Sequence, residues 1–440
     1  MASLAPIGPA LAPAPSGAGP WDAAIAAARA HAPYLARLMA RRPELLDARG
    51  ADWPERLCRD AGALARSVAR APGAFEEGMQ RLRQAKDAVH LAVAIADLAR
   101  AWDQARVTAA LTAFADEAVR AALALAAAAA EARGDLVAHT GDASLGPVPG
   151  FALIAMGKMG AGELNYSSDI DISIFYDPEA LPLGERREAS AVAQRLAPAF
   201  VRALEEATAD GYVFRTDLRL RPDPGATPVA VSIRAAEHYY QHLGQNWERA
   251  AFIKARAAAG DVALGEAFLE SLQPFIWRKH LDYAAVADVQ SIKRQILSTH
   301  KSAELAEAVF DVKLGRGGIR DIELFVQTQQ LIMGGRNRRL RAATTLGALD
   351  ALTAAGAVNH DARVALAEAY AFFRDVEHRI QMLEDAHSHH VPKERDARAH
   401  LAALCGFGDL ADFERALAAR RAVVAEIDHG LFGRAESLAD

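Results

Sequence analysis

The spacing of apolar positions changes twice along the chain. From Trp21 to about Arg133 they recur at helical intervals, as in Leu35, Leu38 and Met39 or Leu91, Ile95 and Leu98, with Arg and Asp on the other faces. That period lays one apolar stripe along each helix. A turn-rich stretch, Gly-Asp-Ala-Ser-Leu-Gly-Pro-Val-Pro-Gly at 141–150, interrupts it. Short apolar runs of strand length follow at 151–156, 170–176, 212–220 and 229–233, with a helical segment around 185–209 between them. After about Ala235 the helical period returns and holds to the C-terminus, broken at 315–318, at 334–335 and near Pro392. No internal repeat or heptad run is present. The pattern predicts an α+β chain: a tail over 1–20, a helical domain over 21–135, an α/β core over 136–265 and a second helical domain over 266–440.

Composition adds little to the fold and more to the chemistry. Half the residues (52%) are hydrophobic, and much of that is Ala, in runs such as 126–130; Ala loses no side-chain entropy in a helix, so the chain should be mostly helical. Fifty basic and 56 acidic residues leave a net charge of −6, which offers no global attraction to nucleic acid or to an anionic membrane. Any phosphate site must be local. Cys58 and Cys405 are far apart and support neither a disulfide framework nor a structural zinc site, so a reducing cytoplasm is expected. The first twenty residues, rich in Ala, Pro and Gly, have no basic stretch leading into an apolar core and read as a flexible tail. No run is apolar and long enough to span a membrane. A soluble protein follows.

The chemistry gathers between 150 and 222. An apolar strand runs into Gly157-Lys158-Met159-Gly160, where missing Cβ atoms let backbone N–H groups approach a phosphate. A glycine turn alone is weak evidence. Soon after comes Ser167-Ser168-Asp169-Ile170-Asp171-Ile172-Ser173-Ile174, in which Asp169 and Asp171 lie two apart on a strand and share a face. An isolated Asp-x-Asp is usually a solvated strand edge, but the alternating Ile here place this strand in a core. Two carboxylates so close raise each other's pKa unless a cation compensates, which points to Mg²⁺ or Mn²⁺ with phosphate oxygens completing the shell. In Val213-Phe214-Arg215-Thr216-Asp217-Leu218-Arg219-Leu220-Arg221-Pro222, alternation puts Asp217, Arg219 and Arg221 on one side. A third carboxylate permits two metal ions, one activating the attacking oxygen and one stabilising the leaving group, while the arginines bind developing charge.

Glycine turn, paired Asp, then strand Asp is an order similar to that of the DNA polymerase beta-like nucleotidyltransferases, which implies a small mixed-sheet core of that kind. More specifically, the chain resembles the bifunctional glutamine synthetase adenylyltransferase/adenylyl-removing enzymes. The resemblance is carried by Gly157-Lys158-Met159-Gly160-Ala-Gly-Glu-Leu-Asn165 leading into Ser168-Asp-Ile-Asp171, and by Asp217-Leu-Arg-Leu-Arg-Pro222. Trp247-Glu248-Arg249 with Lys254-Ala-Arg256, Pro274-Phe-Ile-Trp-Arg278 and Val312-Lys-Leu-Gly-Arg-Gly-Gly-Ile-Arg-Asp-Ile-Glu323 extend it. It covers roughly residues 150–340, with weaker similarity through the helical ends. Asn246, where such proteins often have Asp, and Asp223-Pro224, in place of the usual Phe-Gly, depart from the pattern without touching the three carboxylates.

That family has two related nucleotidyltransferase halves, and 440 residues have room for one, so the resemblance implies part of a longer polypeptide. The form of 313–320 and the segment from His378-Arg-Ile-Gln381 to Pro392 are similar to the N-terminal, adenylyl-removing half. The implied reaction is phosphorolysis: phosphate attacks the AMP carried by a tyrosine of glutamine synthetase, giving ADP and unmodified enzyme. By resemblance Asp169, Asp171 and Asp217 hold two Mg²⁺ (or Mn²⁺) ions, Gly157, Lys158 and Ser168 shape the phosphate turn, and Arg219 and Arg221 bind phosphate. Trp247, Glu248, Arg249, Lys254 and Arg256, in a predicted helical segment, complete the nucleotide side, unless they are only an ion-paired helix surface beside a buried Trp. Lys313, Arg320, Asp321 and Glu323 form a further edge of the site, with Gly317 and Gly318 capping a helix there. Adenylylated glutamine synthetase and uridylylated PII signal protein are the implied partners. Forward AMP transfer from ATP and a non-catalytic nucleotide or signal-protein module are the competing readings. His387, His389 and His390 invite a zinc reading, but no second ligand group is spaced to join them, so no metal is expected there.

Overall fold

The computed structural model describes residues 19–47, 49–138, 146–278 and 310–436. The predicted tail up to residue 18 and residues 141–145 of the turn-rich stretch therefore lie outside the described residues. Five helices come first: α1 (Asp22–His31), α2 (Pro33–Arg41), α3 (Trp53–Arg70), α4 (Phe75–Leu98) and α5 (Gln104–Ala132). Next are β1 (Phe151–Ala155), the one-turn α6 (Gly157–Gly160), β2 (Ile170–Tyr176), α7 (Ala189–Glu205), β3 (Thr216–Asp217) and β4 (Ala230–Ser232). They are followed by α8 (Ile233–His242), α9 (Asn246–Phe252), β5 (Arg256–Gly260), α10 (Val262–Ser271) and the short α11 (Gln273–Ile276). The chain closes with α12 (Ile319–Met333), α13 (Thr345–Ala354), α14 (His360–Glu384), α15 (Arg395–Leu404) and α16 (Leu410–Glu436). The fold is α+β, mostly helical with one small mixed sheet. No described helix is long and apolar enough to cross a membrane.

The described residues pack as two compact units. One lies within Met1–Ala51, Ala94–Val107 and Arg278–Asp440, the other within Asp52–Val93 and Thr108–Trp277. The second holds the sheet, in the order β3-β2-β1-β5 with β4 also on β2. β1 is antiparallel to both β2 and β5, whereas β3 and β4 run parallel to β2. Since β1 takes one edge of β2, β3 and β4 share the other: Asp171 pairs with Asp217 near one end and Ile174 with Ala230 near the other. β1 is buried at every position and β2 at all but Asp171, which is why both read as nearly continuous apolar runs. Phe175 of β2 packs at a tilt against Phe268 of α10, with ring centroids 4.5 Å apart.

Two elements differ from the sequence expectation. The strand expected over 212–220 is reduced to Thr216–Asp217. Conversely, Arg256-Ala-Ala-Ala-Gly260, expected as helix, is β5. Its small residues carry no period-2 signal, and pairing with β1 overrides their helical propensity. They also let α10 come close, since a Cβ on Gly265 would lie 2.9 Å from Ala257 Cβ and 3.0 Å from Ile154 Cδ1.

In the helical unit, Val312, Ile319, Ile322, Phe325, Leu349, Leu366, Phe373, Val376, Leu401 and Phe413 belong to one buried cluster. The unit also buries charge. Arg379 of α14 is fully buried and binds both carboxylate oxygens of Asp97, through Nη1 to Oδ2 and, at 2.8 Å, through Nη2 to Oδ1. A buried charge of this kind is tolerated because it is paired and hydrogen-bonded.

Candidate nucleotidyl-transfer site

The site begins where β1 ends. Gly157 has φ +52°, and a Cβ there would meet Asp171 Oδ2 at 2.1 Å, so both backbone and space require glycine. Three residues on, a Cβ at Gly160 would lie 2.0 Å from the Lys254 carbonyl oxygen. The missing side chains let the turn sit directly against β2 and against the segment leading into β5.

The three carboxylates arrive from adjoining backbone. Asp169 immediately precedes β2, Asp171 is its second residue, and Asp217 is the register partner of Asp171. All three are half-buried. Arg219 folds back on Asp217, with Nη2 2.5 Å from Oδ2, Nε 3.0 Å from both oxygens and its backbone N–H 2.9 Å from Oδ1. Burial pushes the Asp217 carboxyl up and the nearby Asp169 charge adds to this, but the bonds from Arg219 prevail and hold it below the usual carboxylate value. The Arg219 guanidinium is raised in turn, first by its bond to Asp217, with Asp171 and Asp169 contributing. Its side chain is 82% exposed, the most solvent-accessible of the arginines bonded to these carboxylates.

Arg215 was not singled out from the sequence. Its Nε bonds Asp169 Oδ1 at 2.9 Å, its Nη2 bonds the carbonyl and hydroxyl oxygens of Ser167 at 2.6 and 3.0 Å, and its Nη1 bonds the Tyr212 hydroxyl. It thus ties the loop before β2 to the segment before β3. The signal was present in the alternation that flagged Asp217 and Arg219, because Arg215 is the preceding position on that face. Glu205 was also missed: its Oε1 accepts from the Thr216 backbone N–H and, at 2.7 Å, from the Thr216 hydroxyl, anchoring β3 to the end of α7.

Helices of the same unit brace these loops. Buried Arg83 of α4 bonds the carbonyls of Ala203, Glu206 and Gly211 at 3.1, 2.5 and 2.8 Å, holding the turn that leads to Tyr212. The Tyr166 hydroxyl bonds the His90 carbonyl at 2.9 Å, and Leu164 N–H donates to Thr112 Oγ1 at 3.1 Å.

The other candidates fall into place as follows. Lys158 is buried in α6 and Ser168 is half-buried beside Asp169. Arg221 bonds the carbonyls of Leu218, Pro224, Thr227 and Pro228 at 2.8–3.1 Å, so its guanidinium organises the loop after Pro222. Arg256 pairs with Asp116 at 2.7 Å and bonds the Met159 carbonyl at 3.1 Å, while buried Lys254 lies 3.5 Å from Glu163; both contacts steady the glycine turn. Glu248 is buried and accepts from Gln245 N–H at 2.7 Å as part of a capping box for α9. Burial raises its pKa above the ordinary value despite that bond. Arg249 clasps the Ile276 carbonyl through Nε and Nη2 at 3.3 and 3.1 Å, and Trp247 is half-buried beside them.

Lys313, Arg320, Asp321 and Glu323 belong to the helical unit. Gly318 is the N-cap residue of α12, and Asp321 Oδ2 accepts from Gly317 N–H at 2.7 Å. Burial lowers the Arg320 pKa, opposed by Glu323, Asp311 and Asp321.

The family model for glutamate-ammonia ligase adenylyltransferase matches residues 23–271, a span that contains the glycine turn and all three carboxylates. The chain belongs to the glutamate-ammonia ligase adenylyltransferase family. Residues 290–432 match the family model for GlnD PII-uridylyltransferase. Among similar proteins, the bifunctional glutamine synthetase adenylyltransferase/adenylyl-removing enzyme of Caulobacter vibrioides is 51% identical over 434 residues, covering 94% of this chain and 43% of its own length. The enzyme of the same name from Mesorhizobium japonicum is 46% identical over 407 residues, covering 92% and 41%, and that from Rhizobium meliloti is 50% identical over 341 residues, covering 78% and 34%. This member of the glutamate-ammonia ligase adenylyltransferase family thus spans less than half the length of the curated relatives it matches.

Proposed function

We propose that this chain removes AMP from the adenylylated tyrosine of glutamine synthetase by phosphorolysis, in control of nitrogen assimilation. The observation that carries the reading is the convergence of Asp169, Asp171 and Asp217 beneath a turn at Gly157 that admits no side chain. The donor set fits the metals such chemistry uses: hard carboxylate oxygens, partly exposed, closely spaced and compensated here by Arg215 and Arg219. Bound there, Mg²⁺ or Mn²⁺ ions, two in number, would supply activation of the attacking phosphate oxygen and charge stabilisation at the transferred phosphoryl group. Arg219, exposed at the rim, binds incoming phosphate; Arg215 and Arg221 position the loops on either side of β3. The backbone of the glycine turn, with Lys158 and Ser168, receives the nucleotide phosphate. The removing direction is favoured by the form of 313–320 and of 378–392, and the names of the relatives include it. Uridylylated PII is the proposed regulator, a role in keeping with the match at 290–432.

The chain incubated with adenylylated glutamine synthetase, Mg²⁺ and phosphate should release ADP in a phosphate-dependent way. No ADP, with a control enzyme active on the same substrate, rejects this reading. The adenylyltransferase family match favours a second reading, forward transfer, for which label from ATP would appear on unmodified glutamine synthetase.

A further inference from the structure

Outside the carboxylate site, the helical unit gathers a ligand set that sequence spacing did not reveal. Asp311, just before the 313–320 motif, lies beside His389 and His390 of the segment after α14. One ligand atom from each lies within 4.8 Å of the others. The zinc reading of the histidines lacked a second ligand group in sequence; folding supplies it from 78 residues upstream in the chain.

The backbone holds both sides in place. Val312 N–H donates to the His389 carbonyl at 2.8 Å and Val391 N–H to the Phe310 carbonyl at 2.8 Å, forming an isolated antiparallel bridge between Asp311 and His390. The two oxygens of Asp311 have separate roles. Oδ1 accepts the backbone N–H groups of Lys313 and Leu314 at 2.8 and 2.7 Å, which sets the orientation of the carboxylate. Oδ2 faces the histidines, 3.1 Å from His389 Nε2 and 3.8 Å from His390 Nδ1. A metal at about 2.1 Å from each of two ligands separates them by roughly 3.0–3.8 Å, depending on the angle, so these spacings suit a shared ion. An outer-shell bond that orients the liganding carboxylate is likewise a regular feature of metal sites.

We propose that Asp311, His389 and His390 form a transition-metal site that takes Zn²⁺. Two borderline imidazoles beside one carboxylate suit Zn²⁺ better than Mg²⁺, and three protein ligands leave a fourth position for water. The ion clips the start of the Lys313–Arg320 motif to the 389–391 segment. It is a different site from the Asp169/Asp171/Asp217 cluster, in a different unit, and does not rest on the proposed phosphorolysis.

The test uses the full chain with Asp169 and Asp171 both changed to Asn, so that the carboxylate cluster does not compete, stripped with chelator and titrated with Zn²⁺ by calorimetry. Co²⁺ serves as a spectroscopic probe. The expected result is one Zn²⁺ per chain, a rise in Tm on binding, and visible Co²⁺ bands of a four-coordinate nitrogen/oxygen site. His390→Ala, at an exposed position where folding should be unaffected, and Asp311→Asn, which keeps the Oδ1 acceptor, should each weaken binding roughly 10- to 100-fold or more and remove the Co²⁺ bands. Unchanged Zn²⁺ affinity in both folded variants, or no Zn²⁺ binding by the folded parent, overturns the proposal.

Discussion

Asp171 and Asp217 are register partners on parallel β2 and β3, so two carboxylates nearly fifty residues apart are fixed side by side by a ladder two residues long. Because β3 is so short, its placement depends on what anchors its ends: Glu205 at Thr216, Arg215 at Asp169 and Arg219 at Asp217.

Changing Asp171 or Asp217 to Asn keeps shape and removes charge. Each variant is expected to lose at least roughly 10²-fold in nucleotidyl-transfer rate, since a direct metal ligand should matter more than the outer-shell partners whose loss costs 10- to 100-fold. Tm should hold or rise for Asp171→Asn as carboxylate repulsion is relieved, and fall slightly for Asp217→Asn, which loses its ion pair with Arg219. Steady-state rates across a Mg²⁺ titration, with Tm measured in parallel, decide it; a wild-type rate in either variant would remove that residue from the metal site.

Gly157→Ala is expected to be far worse than its size suggests. The left-handed backbone alone costs a non-glycine residue about 1–2 kcal/mol, and the new methyl would press on Asp171 Oδ2, 2.1 Å from the ideal Cβ position. Displacing a carboxylate proposed to bind metal by about an ångström should lower the rate roughly 10²-fold. Gly162→Ala is the control: it also has positive φ, +75°, but nothing lies within 4 Å of its Cβ position, so it should lose stability without the loss of rate.

Arg215→Ala should weaken the apparent Mg²⁺ affinity by roughly 10- to 100-fold, because Asp169 loses the partner that orients it. Arg221→Ala should instead loosen the loop whose carbonyls it holds. Its expected signature is faster proteolysis within 222–228, with a smaller change in Mg²⁺ dependence.

Asp97→Asn removes the carboxylate paired with buried Arg379 and leaves Asp375 as its nearby opposite charge. Breaking such a pair typically costs about 3–5 kcal/mol, and denaturant unfolding should show a loss of that order in the helical unit. Asp97→Asn combined with Arg379→Met should recover a substantial part of it.

Neighbouring His378 gives the helical unit a pH dependence of definite sign. Burial lowers its pKa below the ordinary 6.5, with Arg374 and Arg379 adding to the effect and Asp97 opposing it. The unfolded chain therefore takes up a proton at a pH where the folded chain does not. Stability from this group is complete above about pH 6.5 and falls as acidification proceeds toward the folded value. Tm measured from pH 7.5 down to 5.5 should decline, and His378→Gln should flatten the decline.

The sequence by itself determined the class of the fold and the residue types of the candidate chemistry. Helical stripes, the buried runs of β1 and β2 and the glycine turn are local patterns with periods set by backbone geometry, and Asp169, Asp171 and Asp217 stood out within them. Only the tertiary structure decided which positions meet. β5 is a strand because β1 needed a partner, not because Ala-Ala-Ala prefers to be extended. Arg215 and Arg219 turn to carboxylates while Arg221 turns to carbonyls, although all share one alternation. Asp311 reaches the histidines through a bridge between segments with no common motif. These outcomes depend on pairing across sequence separation and on the balance of burial against hydrogen bonding, quantities that no local period encodes.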